Sequence, residues 1–206
     1  MTAVLRPDVH AVAVDGTLIL LDLAGDDYFC LPGAAAAADG FIRDAGLISA
    51  LDAAGLLTTG PVQERRPPPR RPSKTVIYQR PERAPAAALW LSAVRAALAV
   101  RGIRKAAGVE RYLALVDGPV GDRTSVRVAE AARAFWRMAP WLPVEGECLV
   151  RSALLMRFLK QRGLAADWVF GVRLWPFTAH CWVQLDGVCL NDDVERLTSY
   201  TPIYCR

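Results

Sequence analysis

Short apolar runs separated by turn residues open the chain. Val9 to Val14 predicts a strand and ends at Asp15-Gly16, a pair suited to a two-residue hairpin. Thr17 to Leu23 predicts a second strand, with a further turn near Ala24-Gly25-Asp26. Tyr28-Phe29-Cys30-Leu31 predicts a short third strand, stopped by Pro32-Gly33. Ala34 to Asp44 and Leu47 to Ala54 read as short helices, the second closed by Gly55. Residues 1–60 in this order predict a small α+β unit, and its last strand is a candidate open edge.

From residue 86 the apolar spacing turns helical. Ala86 to Val100, Arg104 to Val116 and Ser125 to Met138 predict helices. In the last of these, Val128, Ala131, Ala132, Phe135 and Trp136 recur at the helical period. Pro140 and Pro143 bracket a loop. Glu147 to Arg162 predicts a fourth helix, with Cys148, Ser152, Leu155, Met156 and Leu159 on its apolar face and Gly163 at its end. Strands are predicted over Asp167 to Leu174, Ala179 to Leu185 and Val188 to Asn191. The sequence carries no internal repeat.

Between these regions the pattern lapses. Pro61 to Ala86 holds seven of the fourteen prolines and the run Arg65-Arg66-Pro67-Pro68-Pro69-Arg70-Arg71-Pro72. Proline removes a donor and fixes φ, so the stretch favours extended, polyproline-like structure. It reads as a solvated linker over 61–86, between a domain at 1–60 and a larger one at 87–206.

Charge divides along the same lines. The formal net charge of +4 hides an acidic N-terminal third, where Arg6 and Arg43 face eight acids. That balance argues against nucleic-acid binding there. A hydrophobic fraction of 53% is enough for a packed core and excludes a mainly disordered chain. The longest apolar stretch, Ala86 to Val100, is interrupted by Arg95 and reads as a helix of a soluble fold, so no membrane association is expected. Asp8 falls where an export signal would need its apolar region. Cys30, Cys148, Cys181, Cys189 and Cys205 are then expected as free thiols in a reducing cytoplasm.

The candidate chemistry lies in the second half. Cys148 stands at the start of a predicted helix, where unpaired N–H groups and the helix dipole favour a thiolate. The same groups can hold the oxyanion of a tetrahedral intermediate. A buried structural cysteine is the competing explanation, so its neighbours decide. Of two histidines, His10 has no evident partner, while His180 opens a strand. Across the Asp186-Gly187 turn, a two-residue loop sets His180 opposite Asp193. A three-residue loop sets it opposite Asp192. Either carboxylate could hold the imidazole while its other nitrogen serves the thiol. Side-chain alternation places Cys181 and Cys189 on the face opposite His180, as core residues. A zinc site from Cys148, His180, Cys181 and Cys189 is disfavoured for want of a close Cys-x-x-Cys pair. No phosphate-binding loop is found, and no metal or other cofactor is expected.

These residues resemble the lasso peptide biosynthesis B proteins, leader peptidases of the transglutaminase-like superfamily. The resemblance runs over about 90–206. It rests on Gly146-Glu147-Cys148-Leu149-Val150-Arg151-Ser152-Ala153-Leu154, Gln161-Arg162-Gly163-Leu164, Gly171-Val172-Arg173 and Pro176-Phe177-Thr178-Ala179-His180-Cys181-Trp182-Val183-Gln184-Leu185-Asp186-Gly187. Cys181 replaces the family's usual alanine and Gln184 its usual glutamate. The resemblance implies Cys148 as nucleophile, His180 as base and Asp192 as the orienting acid, in a papain/transglutaminase-like cysteine peptidase domain. Residues 1–60 are similar to the winged-helix-like leader-recognition element of such pathways. That similarity implies that a leader peptide adds as a strand along Tyr28, Phe29, Cys30 and Leu31.

The expected activity is therefore removal of the leader from a ribosomally made lasso precursor, which frees the core amine for macrolactam formation. The implied partners are that precursor and an ATP-dependent, asparagine synthetase-like cyclase. Two other readings stand beside it. One is a transglutaminase-like acyl transfer to an amine; the other is a peptide-binding scaffold with Cys148 merely buried.

Overall fold

The computed structural model describes residues 3–60, 65–79, 84–103, 108–143 and 146–206. Within them helices and strands are mixed, in an α+β arrangement. The first strand, β1 (Ala3–Leu5), pairs antiparallel with β5 (Phe41–Ile42) and β6 (Leu57–Thr58). A meander of β2 (Val9–Val14), β3 (Thr17–Asp22) and β4 (Asp27–Pro32) forms a second antiparallel sheet in that order. Its first turn is Asp15-Gly16, both with positive φ as a two-residue hairpin of this hand requires.

The helix expected over Ala34 to Asp44 does not form. A 3-10 turn spans Ala35–Asp39, and Gly40, at φ +82°, breaks it so that β5 can leave in the strand direction. The next helix, α1 (Ala45–Ala53), is capped by Asp44 through the Leu47 N–H and is followed by Gly55.

The second half begins with α2 (Ala87–Arg101). The helix expected from Arg104 is described from residue 108, as α3 (Gly108–Leu113) followed by a 3-10 turn at Ala114–Val116; residues 104–107 lie outside the described ones. Then come α4 (Ser125–Met138) and α5 (Cys148–Gln161). Of these helices α2, α3 and α4 pack on α5, and α5 packs on the central strand of a five-stranded sheet. Its members are β7 (Lys74–Thr75), β8 (Asp167–Arg173), β9 (Thr178–Leu185), β10 (Val188–Cys189) and β11 (Thr201–Cys205), in the order β11-β8-β9-β10-β7. The short helix α6 (Val194–Leu197) and β11 carried no clear sequence signal.

The central strand β3 joins the two halves. All six of its residues are buried. Leu18 and Leu20 pack into a small core with Leu5, Val9, Ile42, Leu51 and Leu56. Ile19 and Leu21 point the other way, into the large core built on α2, α4, α5 and the five-stranded sheet. Period-two alternation thus makes one strand serve two cores.

Residues 61–64 and 80–83 of the expected linker lie outside the described residues. Its described part, 65–79, is a strap rather than a solvated link: Arg65 donates to the Leu5 and Arg6 carbonyls of the first half, and the residues after it bond the second. Arg66 pairs with the buried Asp167 at 2.6 Å, and Arg123 reaches the same carboxylate at 2.9 Å. Gln184 donates to the Arg70 carbonyl at 2.8 Å, and β7 pairs parallel with β10. Prolines bar a long ladder here, so side-chain donors satisfy the strap's carbonyls instead.

Candidate active site

Cys148 is the first residue of α5. Glu147 precedes it in an extended conformation and its side chain does not cap the helix. The N–H groups of the first turn are therefore left to the thiol and to whatever binds beside it. Ser152, Leu155 and Leu159, further along the same helix, are buried in the direction of β9.

His180 lies near the start of β9 and is 4% exposed. Its Nε2 is 2.6 Å from Asp192 Oδ2. With Nε2 engaged by a carboxylate, that nitrogen carries the hydrogen and Nδ1 is the one left for Cys148. The imidazole is flanked by the rings of Tyr200, at 5.2 Å, and Trp182, at 6.3 Å. Gly171 pairs with His180 across the ladder, and a Cβ there would meet the Trp182 ring at 2.7 Å. The bare backbone at 171 thus makes room for the indole that supports the histidine.

The thiol of Cys148 is held well below its ordinary pKa. The Cys181 thiol donates to it first; burial opposes; the His180 side chain and the Cys181 backbone N–H then add to the lowering. Cys181 moves the other way, because burial and the neighbouring Cys148 charge both disfavour its ionisation. Burial alone would lower the His180 pKa, but Asp192 and Cys148 outweigh it and the net shift is upward. Asp192 is shifted down: burial opposes, while His180 and the Asp193 N–H outweigh it. The three shifts all run toward the charged forms, thiolate, imidazolium and carboxylate.

The carboxylate arrives by an unexpected route. The turn at Asp186-Gly187 has two residues, with Val188 opposite Leu185 and Cys189 opposite Gln184. That register, continued, would set Asp193 opposite His180. It does not continue, because after Leu190 bonds the Val183 carbonyl the chain leaves the ladder. Asn191 Oδ1 accepts from the Val183 N–H at 2.7 Å, and its Nδ2 donates to Ser152 Oγ at 2.8 Å. Asp192 turns back to His180. Asp193 instead caps α6 through the Glu195 N–H and accepts from the Tyr78 hydroxyl.

The two-residue turn also corrects the expectation for Cys189, which shares a face and a small cluster with Trp182 and so lies on the His180 side of the sheet. Cys181 does face away from His180, into the large core, and there it meets Cys148. Among the participants missed in the sequence are the Cys181 thiol, Ser152 and Asn191. Ser152 lay inside a quoted motif and Asn191 at the end of a predicted strand, but neither residue type signals a buried network by itself. Thr75 of the strap, also missed, donates to the Asp192 carbonyl at 2.7 Å.

The strand β4 pairs only with β3 among the described residues, so its other edge is open. Tyr28, Phe29, Cys30 and Leu31 on it are all half-buried. Phe29 and Leu31 pack on the small core, Tyr28 and Cys30 on the large one. Among the described residues no group of three or more His, Cys, Asp or Glu side chains could hold a metal ion, and no helix is long and apolar enough to cross a membrane.

Residues 90–205 match the family model of the transglutaminase-like superfamily. The chain is also similar to the microcin J25-processing protein McjB of Escherichia coli, 42% identical over 48 residues. That match takes in 23% of this chain and 23% of that protein's length. No solved structure matches.

Proposed function

The chain belongs to the transglutaminase-like superfamily, and on that premise we propose that it is a cysteine peptidase that removes the leader of a lasso peptide precursor. The observation that carries the reading is the pairing of a depressed Cys148 thiol at a helix start with a His180 imidazole bonded to Asp192. A buried structural cysteine would have its pKa raised, as Cys189 and Cys205 do. The similarity to a protein that processes microcin J25 supports peptide processing as the setting.

In this mechanism Cys148 is the nucleophile, His180 the general acid and base, and Asp192 the acid that orients the ring. The thiolate adds to the carbonyl carbon at the leader–core junction. The imidazolium passes its Nδ1 hydrogen to the leaving amine, which becomes the core N-terminus. Water, deprotonated by His180, then cleaves the thioester and releases the leader carboxylate. Residues 1–60 act as the winged-helix-like recognition unit, and the leader adds as a strand at Tyr28–Leu31. The open β4 edge supports that role. The freed amine goes to an ATP-dependent cyclase, and the reaction takes place in the cytoplasm.

The test is mass spectrometry of the precursor incubated with the native protein and with Cys148→Ala. One cut by the native protein alone, with water added, is the expected result. A cross-linked product would mean acyl transfer. If neither protein cuts, even with cyclase and ATP supplied, the peptidase reading is lost.

A further inference from the structure

We propose that Tyr28, carried on the edge strand of the N-terminal sheet, lines the Cys148 cleft and donates its phenolic hydrogen to the carbonyl oxygen that Cys148 attacks. The inference rests on Cys148 as nucleophile and goes beyond it. It gives the N-terminal unit a part in the chemistry as well as in recognition.

The placement follows from the ladder. Tyr28 pairs with Leu21 and Cys30 with Ile19, so all four share one sheet face. That face is the one buried in the large core, together with Leu23. The edge strand is therefore fixed relative to α5. Tyr28 packs against the same cluster that takes in Cys148, Leu149 and Ala179. Its ring meets Phe177 at 5.4 Å, in the turn that leads into β9 and His180.

The site has a use for such a group. A tetrahedral oxyanion needs about two donors. The first turn of α5 supplies one kind, its uncapped N–H groups. No glutamine or asparagine stands between Trp141 and Glu147 to supply a side-chain donor from the helix entry. Burial, and then the Cys181 and Cys148 thiols, push the Tyr28 phenol above its ordinary pKa, so it remains a donor throughout the neutral range.

The reaction that isolates this role is acetylation of Cys148 by p-nitrophenyl acetate. The thiolate adds to the ester carbonyl carbon and the carbonyl electron pair moves to oxygen. The oxyanion then collapses, expels p-nitrophenolate and leaves an S-acetyl thioester. Alkylation by iodoacetamide displaces iodide without forming an oxyanion, and so reports on the thiolate alone.

Both reactions are followed on the full chain and on Tyr28→Phe, with Cys148→Ala giving the background from the other cysteines. The expected result is acetylation slowed about 100-fold in Tyr28→Phe, with alkylation of Cys148 within about twofold of wild type. Unchanged acetylation overturns the assignment, and so does a parallel loss of both reactions, which would mean a packing role. A wild-type Cys148 that is acetylated no faster than the Cys148→Ala background overturns both this inference and the nucleophile reading. A Tyr28→Phe result alone overturns only this one.

Discussion

Once one of them ionises, Cys148 and Cys181 share a single hydrogen, and burial decides which of them keeps it. Cys181 is the more deeply enclosed, so it keeps its hydrogen and donates it. Removing that donor raises the Cys148 pKa. In Cys181→Ala the alkylation profile of Cys148 should shift to higher pH, with reactivity at pH 6 lost several-fold and reactivity at pH 9 kept, as peptide-mapped iodoacetamide labelling would show. An unshifted profile would mean that His180 and the helix start suffice. The two adjacent carboxylates separate by the same local logic. Asp192→Asn should cost roughly 10³-fold in turnover, because the imidazole loses the partner that holds its tautomer. Asp193→Asn, at a helix cap, should stay within about threefold. Steady-state cleavage of the precursor distinguishes them, and equal losses would refute the assignment of Asp192.

At the scale of elements, the β9–β10 hairpin and α5 are tied by Asn191. Its side chain bonds the Val183 N–H and Ser152 Oγ, and Ser152 in turn donates to the Cys181 carbonyl at 3.3 Å. These bonds hold the strand of His180, the helix of Cys148 and the loop of Asp192 in one frame. Asn191→Ala leaves the buried Val183 N–H without a partner, at about 1–3 kcal/mol, and takes from Ser152 Oγ one of its bonds. The expected outcome is a loss of about 2–4 kcal/mol in denaturant unfolding, with kcat falling more than KM changes. A variant with wild-type stability would show that water replaces the amide without cost.

Across the whole molecule, β3 gives the two halves a shared core. Every tryptophan lies at or beyond Trp90, so indole fluorescence reports only on the second half. Leu21→Ala, in the N-terminal sheet, should nevertheless lower the fluorescence-detected stability by about 2–5 kcal/mol in a single transition. Two separate transitions, the tryptophan one unmoved, would refute the shared core. A second test concerns acid. The His10 ring on β2 lies against that of Tyr204 on β11, 4.4 Å away and tilted by 40°, across the junction of the halves. Burial lowers its pKa to about 4, with the Arg65 charge adding and Asp8 opposing. The unfolded chain takes up that proton near pH 6.5 and the folded one only near 4, so stability is full above 6.5 and falls as pH drops through that window. The loss should be about 1–2 kcal/mol at pH 5, after allowance for partial exposure. Urea midpoints for wild type and His10→Gln would show it as a slope that the variant flattens.

Much of this was legible from local pattern. Asp15-Gly16 announces its two-residue turn, because few residue pairs accept positive φ at both positions, whereas Asp186-Gly187 marks a turn whose two-residue length only the structure decides. The span Ser125–Met138 and the start of α5 at Cys148 follow from apolar period and flanking Gly and Pro. Cys148 and His180 could be singled out because a helix start and a strand start are local events. What tertiary structure decided were relations between distant segments. Asp192, not Asp193, meets His180 because Asn191 breaks the ladder to reach Ser152 on another element. Cys181 meets Cys148 because α5 packs on that face of the sheet. The Pro/Arg-rich stretch becomes a strap because Asp167 and Gln184 stand where its guanidinium and carbonyl groups pass. The sequence by itself determines each element through the hydrogen bonds and side-chain period of its own residues. Which elements share a core depends on burial and pairing summed over the whole chain, and no local window contains that sum.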